Sequence, residues 1–223
     1  MEKTQVLQAV KELREKTQKK KFSQTFDLLI NLKQYNIKTN PKISLAVQLP
    51  HGKGKKVKIC GLIDKELETQ AKKLLDFYIL KDNFQAWNDK KKQKKLTKDY
   101  DFFIAQATVM TDIAKVFGKT FGPRSKMPDP KIGCVLQPTT NIEPLIQKLQ
   151  TLVVLQTKNE AALKGAIATE SMKDEEITEN IMIIYDNLLK ILPQGKENIK
   201  NIMLKMTMGP IYIIGTGLKN EKK

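Results

Sequence analysis

The N-terminal part of the chain shows two hydrophobic periodicities in succession. In residues 2–19, apolar side chains recur at the spacing of one helix face, which predicts an amphipathic helix. From Phe22 to Lys33, apolar and polar residues alternate, as they do in a strand with one buried face. Residues 43–49 repeat that pattern, and Pro50 ends it. We therefore expect a helix followed by two strands.

The middle of the chain has a different pattern, in which apolar runs alternate with amphipathic segments. The runs 57–63 and 100–107 are almost continuously apolar, as parallel strands buried on both faces require. Residues 65–75 and 85–98 have helical spacing, and the second segment is crowded with lysine. This alternation predicts a doubly wound α/β unit over residues 53–150.

Strand character returns after Thr151. Residues 152–157 and 162–168 are expected to be strands that pair with each other, and 174–192 is the longest helix. The stretch 201–217 is apolar on both sides of Thr207-Met208-Gly209-Pro210. Proline cannot donate to a sheet ladder, so the strand must bulge, turn or lie at an edge there. That step is either a simple turn or a small platform for a flat or backbone-rich ligand.

The N-terminal piece has too little apolar surface to fold by itself, and the C-terminal piece has the same pattern of strands and helices. We therefore predict an α/β protein of two domains. Residues 1–52 and 151–223 form a discontinuous α+β domain with an antiparallel sheet and helices. Residues 53–150 form an inserted Rossmann-like α/β domain. The connectors at Gly52 and Thr151 are then adjacent and form a hinge.

Composition narrows the class of partner. Lys and Arg number 40 against 24 Asp and Glu, which gives a formal net charge of +16 and a pI near 9.7. This charge predicts an acidic partner, of which nucleic acid is the most favoured kind and a membrane surface the next. From the sequence we expect no signal peptide and no apolar stretch long enough to span a membrane. Two distant cysteines and one histidine argue against a metal site, and we expect no cofactor.

Two stretches resemble functional motifs, but their details argue against those functions. Gly118-Lys119-Thr120 matches the last three residues of the phosphate-binding loop motif, but Ile113 occupies the position of the required first glycine. The lysine run 90–95 is typical of a solvated helix face with weak attraction for phosphates. Because no nucleophile, base and orienting group are placed together by spacing, we expect no catalytic residues and no enzyme.

Residues 118–131 form the most specific stretch. It contains two glycines and three prolines, and Lys119, Arg124, Lys126 and Lys131 add charge. Such a loop is stiff, so it either presents charge at fixed positions with little loss of entropy on binding or serves as a rigid surface turn.

The sequence Gly122-Pro-Arg-Ser-Lys-Met-Pro-Asp-Pro130 resembles a loop of the L-one family of ribosomal proteins. Phe22-Ser-Gln-Thr-Phe-Asp27, residues 101–107, Glu179-Asn180 and Thr207-Met-Gly-Pro210 match the same family in order, over nearly the whole chain. The 101–107 and Lys126-Met127 matches are closest to the archaeal form. Ser125 departs from the family, which usually has glycine there.

The resemblance implies a structural protein of the large ribosomal subunit, in the cytoplasm, that binds ribosomal RNA and forms the mobile lateral stalk near the tRNA exit site. It implies three RNA partners: large-subunit ribosomal RNA, exit-site tRNA whose release it assists, and its own mRNA, which it represses. It also implies a monomer within the ribosome and no membrane partner. Carried over position by position, the RNA-binding residues are Phe22, Thr25, Asp27, Thr207, Met208 and Gly209, with Lys21 adjacent.

Asp27 fits such a site because a carboxylate accepts hydrogen bonds from a ribose 2′-hydroxyl or a base amine. Two alternatives remain open. One is a nucleotide-binding enzyme built on the middle α/β unit, since fold alone does not define function. The other is a general cationic nucleic-acid binder, for which specific and non-specific affinities would be nearly equal.

Overall fold

The computed structural model describes residues 1–36 and 41–218. The helices are α1 (Lys3–Lys16), α2 (Glu68–Leu74), α3 (Lys90–Asp99), α4 (Met110–Phe121), α5 (Glu143–Thr151) and α6 (Asp174–Ile191). The strands are β1 (Thr25–Leu32), β2 (Ser44–Gln48), β3 (Ile59–Ile63), β4 (Phe77–Leu80), β5 (Phe102–Gln106), β6 (Val135–Leu136), β7 (Leu152–Gln156), β8 (Ala162–Thr169), β9 (Ile199–Met206), β10 (Ile211–Ile213) and β11 (Gly217–Leu218).

The chain divides into two compact units, which we call unit 1 and unit 2. Unit 1 comprises Met1–Lys55 and Thr151–Lys223, and unit 2 comprises Lys56–Gln150. Unit 1 contains an antiparallel five-stranded sheet with the order β11-β10-β9-β1-β8 and a separate β2–β7 pair. Unit 2 contains a parallel four-stranded sheet with the order β4-β3-β5-β6. The predicted mixed α/β fold, with antiparallel and parallel sheets and helices, is confirmed.

Strand β1 is an interior strand of the unit 1 sheet, between β9 and β8, and its alternation shows which face is buried. Phe26, Leu28 and Ile30 point into a core formed with the apolar stripes of α1 and α6. The intervening side chains, which include Thr25 and Asp27, are only half-buried. One face of the sheet is therefore packed against helices, while the other carries polar and mixed side chains.

The pairing expected between residues 152–157 and 162–168 is wrong. Strand β7 pairs with β2, and β8 pairs with β1. The β2–β7 pair packs onto the core side of β8, where Leu155 fills the space beside Gly165. A Cβ atom on Gly165 would lie 2.3 Å from the Leu155 Cδ2 atom. Because Gly165 leaves that room, the two strands pack as layers and do not join one ladder.

Unit 2 has helices on both faces of its sheet, as its apolar strands predicted. All five residues of β3 are buried. Cys60 and Leu62 pack with the apolar residues of α3 and α4. Gly61 faces Leu75, which follows α2, on the opposite side. A strand that is covered twice has no polar face, which explains its continuous apolar sequence.

The stretch 118–131 begins in the last turn of α4 and continues as a turn, in which Arg124 and Lys126 are bound internally while Lys119 and Lys131 are exposed. Arg124 donates to the Lys94 carbonyl at 3.1 Å and to the Thr97 hydroxyl. Lys126 donates to the carbonyls of Tyr100 and Asp101 at 3.2 and 2.6 Å. Both cations thus bind the C-terminal end of α3, where the helix dipole favours positive charge. This geometry favours the rigid-turn interpretation over the presentation of Arg124 and Lys126 to a ligand.

Ser125 has a φ of 55°, in the left-handed region that glycine adopts freely. The usual family residue, glycine, therefore fits this backbone better than serine does.

Helix α1 ends at Lys16, three residues before the predicted end, because Thr17 adopts an extended conformation. Along residues 1–36 and 41–218, every helix is too short or too polar to cross a membrane.

Candidate nucleic-acid interface

Two threonines fasten the start of β1 to the end of β9. The Thr25 N–H donates to the Thr207 hydroxyl at 3.1 Å, and the Thr207 N–H donates to the Thr25 carbonyl at 3.1 Å. The two hydroxyl oxygens lie 2.9 Å apart. Thr207 is exposed and Thr25 is half-buried. The hydroxyls thus meet at the surface, although 182 residues separate them in the chain.

Met208 and Gly209 continue from this contact into the turn between β9 and β10. The Met208 N–H donates to the Gln24 Oε1 atom at 3.1 Å, while its side chain is 65% exposed. The Gly209 N–H donates to the Met206 carbonyl at 3.0 Å. The backbone of the turn is therefore fixed by hydrogen bonds, and an apolar side chain projects from it. We call Thr25, Thr207, Met208 and Gly209 the platform.

Glycine is required at position 209 by a close approach. A Cβ atom there would lie 2.5 Å from the Thr17 Oγ1 atom and 3.2 Å from both the Thr17 Cγ2 and Met206 Cβ atoms. The Thr17 side chain is buried, and its hydroxyl has no hydrogen-bond partner among the described residues. The turn thus packs directly on the segment that follows α1.

Asp27 lies two residues beyond Thr25 on the same face of β1. It stands opposite Lys205 in the β1–β9 register. Partial burial raises the pKa of the Asp27 carboxyl above its usual value, and the nearby positive charge of Lys205 opposes that shift without cancelling it. The carboxylate is thus held where it is poorly solvated, which is unfavourable for the isolated protein.

Lys21 and Phe22 precede the strand, and both are exposed. The Phe22 ring is 52% exposed, which is unusual for a large apolar side chain. The structure therefore brings Thr25, Thr207, Met208 and Gly209 together directly. Asp27 shares their sheet, and Lys21 and Phe22 lie on the segment leading into β1.

Sequence reasoning missed three residues around the platform. Gln24 is 1% exposed and binds the Met208 N–H. Glu170 accepts the Gln24 N–H at 3.2 Å, and Lys205 faces Asp27. Gln24 lies inside the recognised Phe22–Asp27 motif, but a polar residue beside a strand gives no sign of burial. Glu170 carries no sequence signal at all.

The segment that leads to the predicted connector at Gly52 meets Thr151 within unit 1. The Leu49 N–H donates to the Thr151 carbonyl at 2.9 Å, just beyond the β2–β7 pair. Gly52 has a φ of 62°, and its carbonyl accepts a 2.9 Å hydrogen bond from the buried Asn180 amide. Gly54 is close-packed against Thr169. The first connector is therefore held to unit 1 as far as Gly54.

The nucleotide-binding alternative finds no support in the geometry of residues 118–120. These residues lie in the last turn of α4, and the Gly118 carbonyl accepts the Gly122 N–H at 3.0 Å. A phosphate-binding loop instead places free N–H groups before the start of a helix. Among residues 1–36 and 41–218, the His, Cys, Asp and Glu side chains form no group of three suited to a metal ion.

The open sheet face, the exposed platform and the net charge of +16 are typical of a basic protein of ribonucleoprotein particles. A model of the Ribosomal protein L1p/L10e family matches residues 13–210, and the chain belongs to this family. The family is one of structural ribosomal proteins and not of enzymes.

Archaeal relatives cover the chain almost completely. The large ribosomal subunit protein uL1 of Pyrococcus abyssi is 37% identical over 208 residues, which cover 92% of this chain and 93% of the relative. The uL1 of Thermoplasma volcanium is 36% identical over 218 residues, covering 96% and 98%. The uL1 of Nanoarchaeum equitans is 37% identical over 205 residues, covering 90% and 95%. The chain is therefore of the archaeal type.

The close approach at Gly209 gives a first prediction. Gly209→Ala should lower the free energy of unfolding by about 1–3 kcal/mol, because the new methyl group overlaps Thr17. In a Thr17→Ala background, where both clashing Thr17 atoms are gone, the same change should cost less than about 1 kcal/mol. Urea unfolding of the four proteins measures the coupling. An equal cost in both backgrounds would contradict the assigned contact.

The partly buried carboxyl at position 27 gives a second prediction. Since its folded pKa is raised, the carboxyl binds protons more readily in the folded state, and stability falls as pH rises through that pKa. Asp27→Asn should therefore melt at a higher temperature than the parent near pH 7, and the difference should vanish below about pH 4. Melting curves at both pH values test this. A less stable variant near pH 7 would mean that attraction to Lys205 outweighs desolvation.

Proposed function

We propose that this protein binds large-subunit ribosomal RNA directly and that the platform is its selective contact. The observation that carries the proposal is the turn after β9. Its backbone N–H groups donate to the Thr25 carbonyl, the Gln24 Oε1 atom and the Met206 carbonyl. The Thr207 and Met208 residues that carry its hydroxyl and its apolar side chain are nevertheless exposed. A surface that is ordered before binding loses little entropy on binding, so it can discriminate between ligand shapes.

The side chains around the platform suit RNA better than DNA or a membrane. The threonine hydroxyls and the Asp27 carboxylate can bind ribose 2′-hydroxyls, which distinguish RNA from DNA. Phe22 and Met208 supply exposed apolar surface for sugars or bases. The half-buried Asp27 carboxylate, which is negatively charged, is poorly suited to binding a membrane surface.

Lysines have a separate role in this proposal. Contacts to phosphate supply affinity that falls with salt and is independent of sequence, whereas contacts to bases and sugars supply selectivity. Lys21 is exposed on the segment that leads into β1, so it belongs to the first group. The platform residues, which carry no charge, belong to the second.

The third prediction separates these roles. Met208→Asp and Thr207→Val should weaken binding to the structured ribosomal target at least about tenfold. Binding to an unrelated RNA hairpin should stay unchanged in Thr207→Val and should fall in Met208→Asp only by the smaller, salt-sensitive effect of one added negative charge. Lys21→Ala should weaken both RNAs and reduce the slope of log affinity against log salt by about one. Filter binding over a salt series measures all three variants.

The parent protein's ratio of the two affinities decides between this proposal and a general cationic binder. A ratio near one would favour the general binder. Unchanged specific affinity in both Met208→Asp and Thr207→Val would exclude the platform as the contact.

We further propose that units 1 and 2 are two domains, the first discontinuous, and that they swing on the connectors predicted at Gly52 and Thr151, the first of which is held to unit 1 as far as Gly54. The adjacency of Leu49 and Thr151 supports the idea, because two short neighbouring connectors permit rigid-body motion. In this proposal the domains form the lateral stalk, and unit 1 supplies the primary grip on ribosomal RNA.

The fourth prediction tests that division. A variant that joins Lys55 to Thr151 through a short Gly/Ser linker keeps every strand of the unit 1 sheet and the packed Gly54. It should fold and keep most of the specific affinity, losing mainly a salt-sensitive part supplied by the lysines of unit 2. Residues 56–150 alone should bind the same RNA weakly. Strong specific binding by 56–150 and none by the joined ends would overturn both the division and the site.

The remaining partners are proposed on the same basis. As a monomer on the cytoplasmic ribosome, the protein would contact exit-site tRNA and assist its release, and it would repress its own mRNA through an RNA structure that mimics the ribosomal site. Crosslinking on intact ribosomes, with the crosslinks mapped to nucleotides, tests the ribosomal contacts. Competition between ribosomal RNA and the mRNA leader for one protein tests the repression.

A further inference from the structure

One buried amide connects the platform to two other chain segments. Gln24 is 1% exposed, and its side chain uses both of its polar ends. The Oε1 atom accepts the Met208 N–H at 3.1 Å, and the Nε2 group donates to the Gln18 carbonyl at 3.1 Å. The turn after β9 is thereby bound to the segment that follows α1, in addition to the threonine contact.

The backbone of Gln24 binds a third segment, the one between β8 and α6. The Gln24 N–H donates to the Glu170 carboxylate at 3.2 Å, and the Gln24 carbonyl accepts the Glu170 N–H at 2.8 Å. That segment is itself fastened by Arg14, which donates to the Asp174 carboxylate at 2.6 Å, to the Glu170 carbonyl at 2.7 Å and to the Met172 carbonyl. Gln24 therefore stands where three segments of the chain converge.

The geometry points to Gln24 as a positioning residue for RNA recognition, which rests on the platform being the RNA contact. Gln24 is buried, so it cannot contact a ligand itself. It acts through Met208, because it accepts the Met208 N–H while the Met208 side chain faces solvent. Without the amide, the turn keeps its contacts through Thr207 and Gly209, but the Met208 N–H between them loses its partner.

The chemistry of the residue explains why glutamine suits this position. The position needs one acceptor for an N–H and one donor for a carbonyl, at the end of a side chain long enough to reach both. A neutral amide supplies both groups without a buried charge, whereas methionine has similar length and supplies neither. Substitution by methionine therefore removes the hydrogen bonds with little change in volume.

The test compares Gln24→Met with Asn198→Leu, which removes another buried, hydrogen-bonded amide from the same unit. Asn198 is 2% exposed and is likewise a hydrogen-bonded amide, but it lies beside Lys33 at the opposite end of β1. Both variants should lower the melting temperature. Only Gln24→Met should weaken binding to the structured ribosomal RNA, by about tenfold, with unrelated RNA and the salt slope unchanged.

A second readout does not involve RNA. Hydrogen exchange at the Met208 N–H should accelerate in Gln24→Met and stay at the parent rate in Asn198→Leu.

Two results would overturn the inference, and they are distinguishable from failure of the proposed function. If Gln24→Met is destabilised like Asn198→Leu but binds ribosomal RNA with parent affinity, Gln24 is a folding residue only. If the hydrogen-exchange rate of the Met208 N–H is the same in Gln24→Met as in the parent protein, Gln24 does not position Met208, and the inference is overturned as well. If Met208→Asp and Thr207→Val also keep full affinity, the platform itself is not the RNA contact, and the proposed function falls with it.

Discussion

Unit 1 depends on the pairing of β1 with two strands from the other end of the chain. Phe26 faces Met206 on β9 and Ala168 on β8, so each side of β1 is closed by residues far away in sequence. The stripes of α1 and α6 then cover the Phe26 side of the sheet. A strand with both neighbours in place has no free edge, which removes the usual hazard of an unpaired strand.

The same pairing determines where the platform lies. Thr25 opens β1 and Thr207 follows β9, so the antiparallel register brings them to the same end of the sheet. Their hydroxyls then meet without any local sequence requirement that they be near one another. Because the platform is made by sheet register, a slip of one residue would turn Thr25 toward the core and destroy it.

Much of this fold could be predicted from the sequence, because alternation and helical spacing report directly which side of an element is buried. The alternating burial of β1 and the continuous burial of β3 could both be predicted from the sequence. Which strands pair with each other was harder to predict. Residues 152–157 and 162–168 are separated by a short loop, which normally favours a hairpin. In the structure β7 pairs with β2 and β8 pairs with β1, and Leu155 packs over Gly165.

The candidate site was reached through family resemblance and not through residue chemistry. Thr207, Met208 and Gly209 alone are as typical of a turn as of a binding surface. The hydrogen bonds of Gln24 were beyond prediction, since burial of a polar side chain depends on partners brought by three separate segments. Likewise, nothing local distinguishes Arg124 and Lys126, which bind carbonyls at the end of α3, from lysines that face solvent.

The division of labour between charged and neutral residues follows from how each acts over distance. A lysine attracts phosphate from several ångströms away and needs no exact orientation, so it can stay mobile on the surface. A hydroxyl or a thioether discriminates only at contact, so its position must be fixed before the ligand arrives. Fixing it requires backbone hydrogen bonds supplied from below, by a group that is itself immobile. A buried neutral amide such as Gln24 meets that requirement, whereas a surface lysine does not. Selectivity in this protein is therefore expected to depend on uncharged residues and on the buried contacts beneath them, even though 40 basic residues dominate its attraction to nucleic acid.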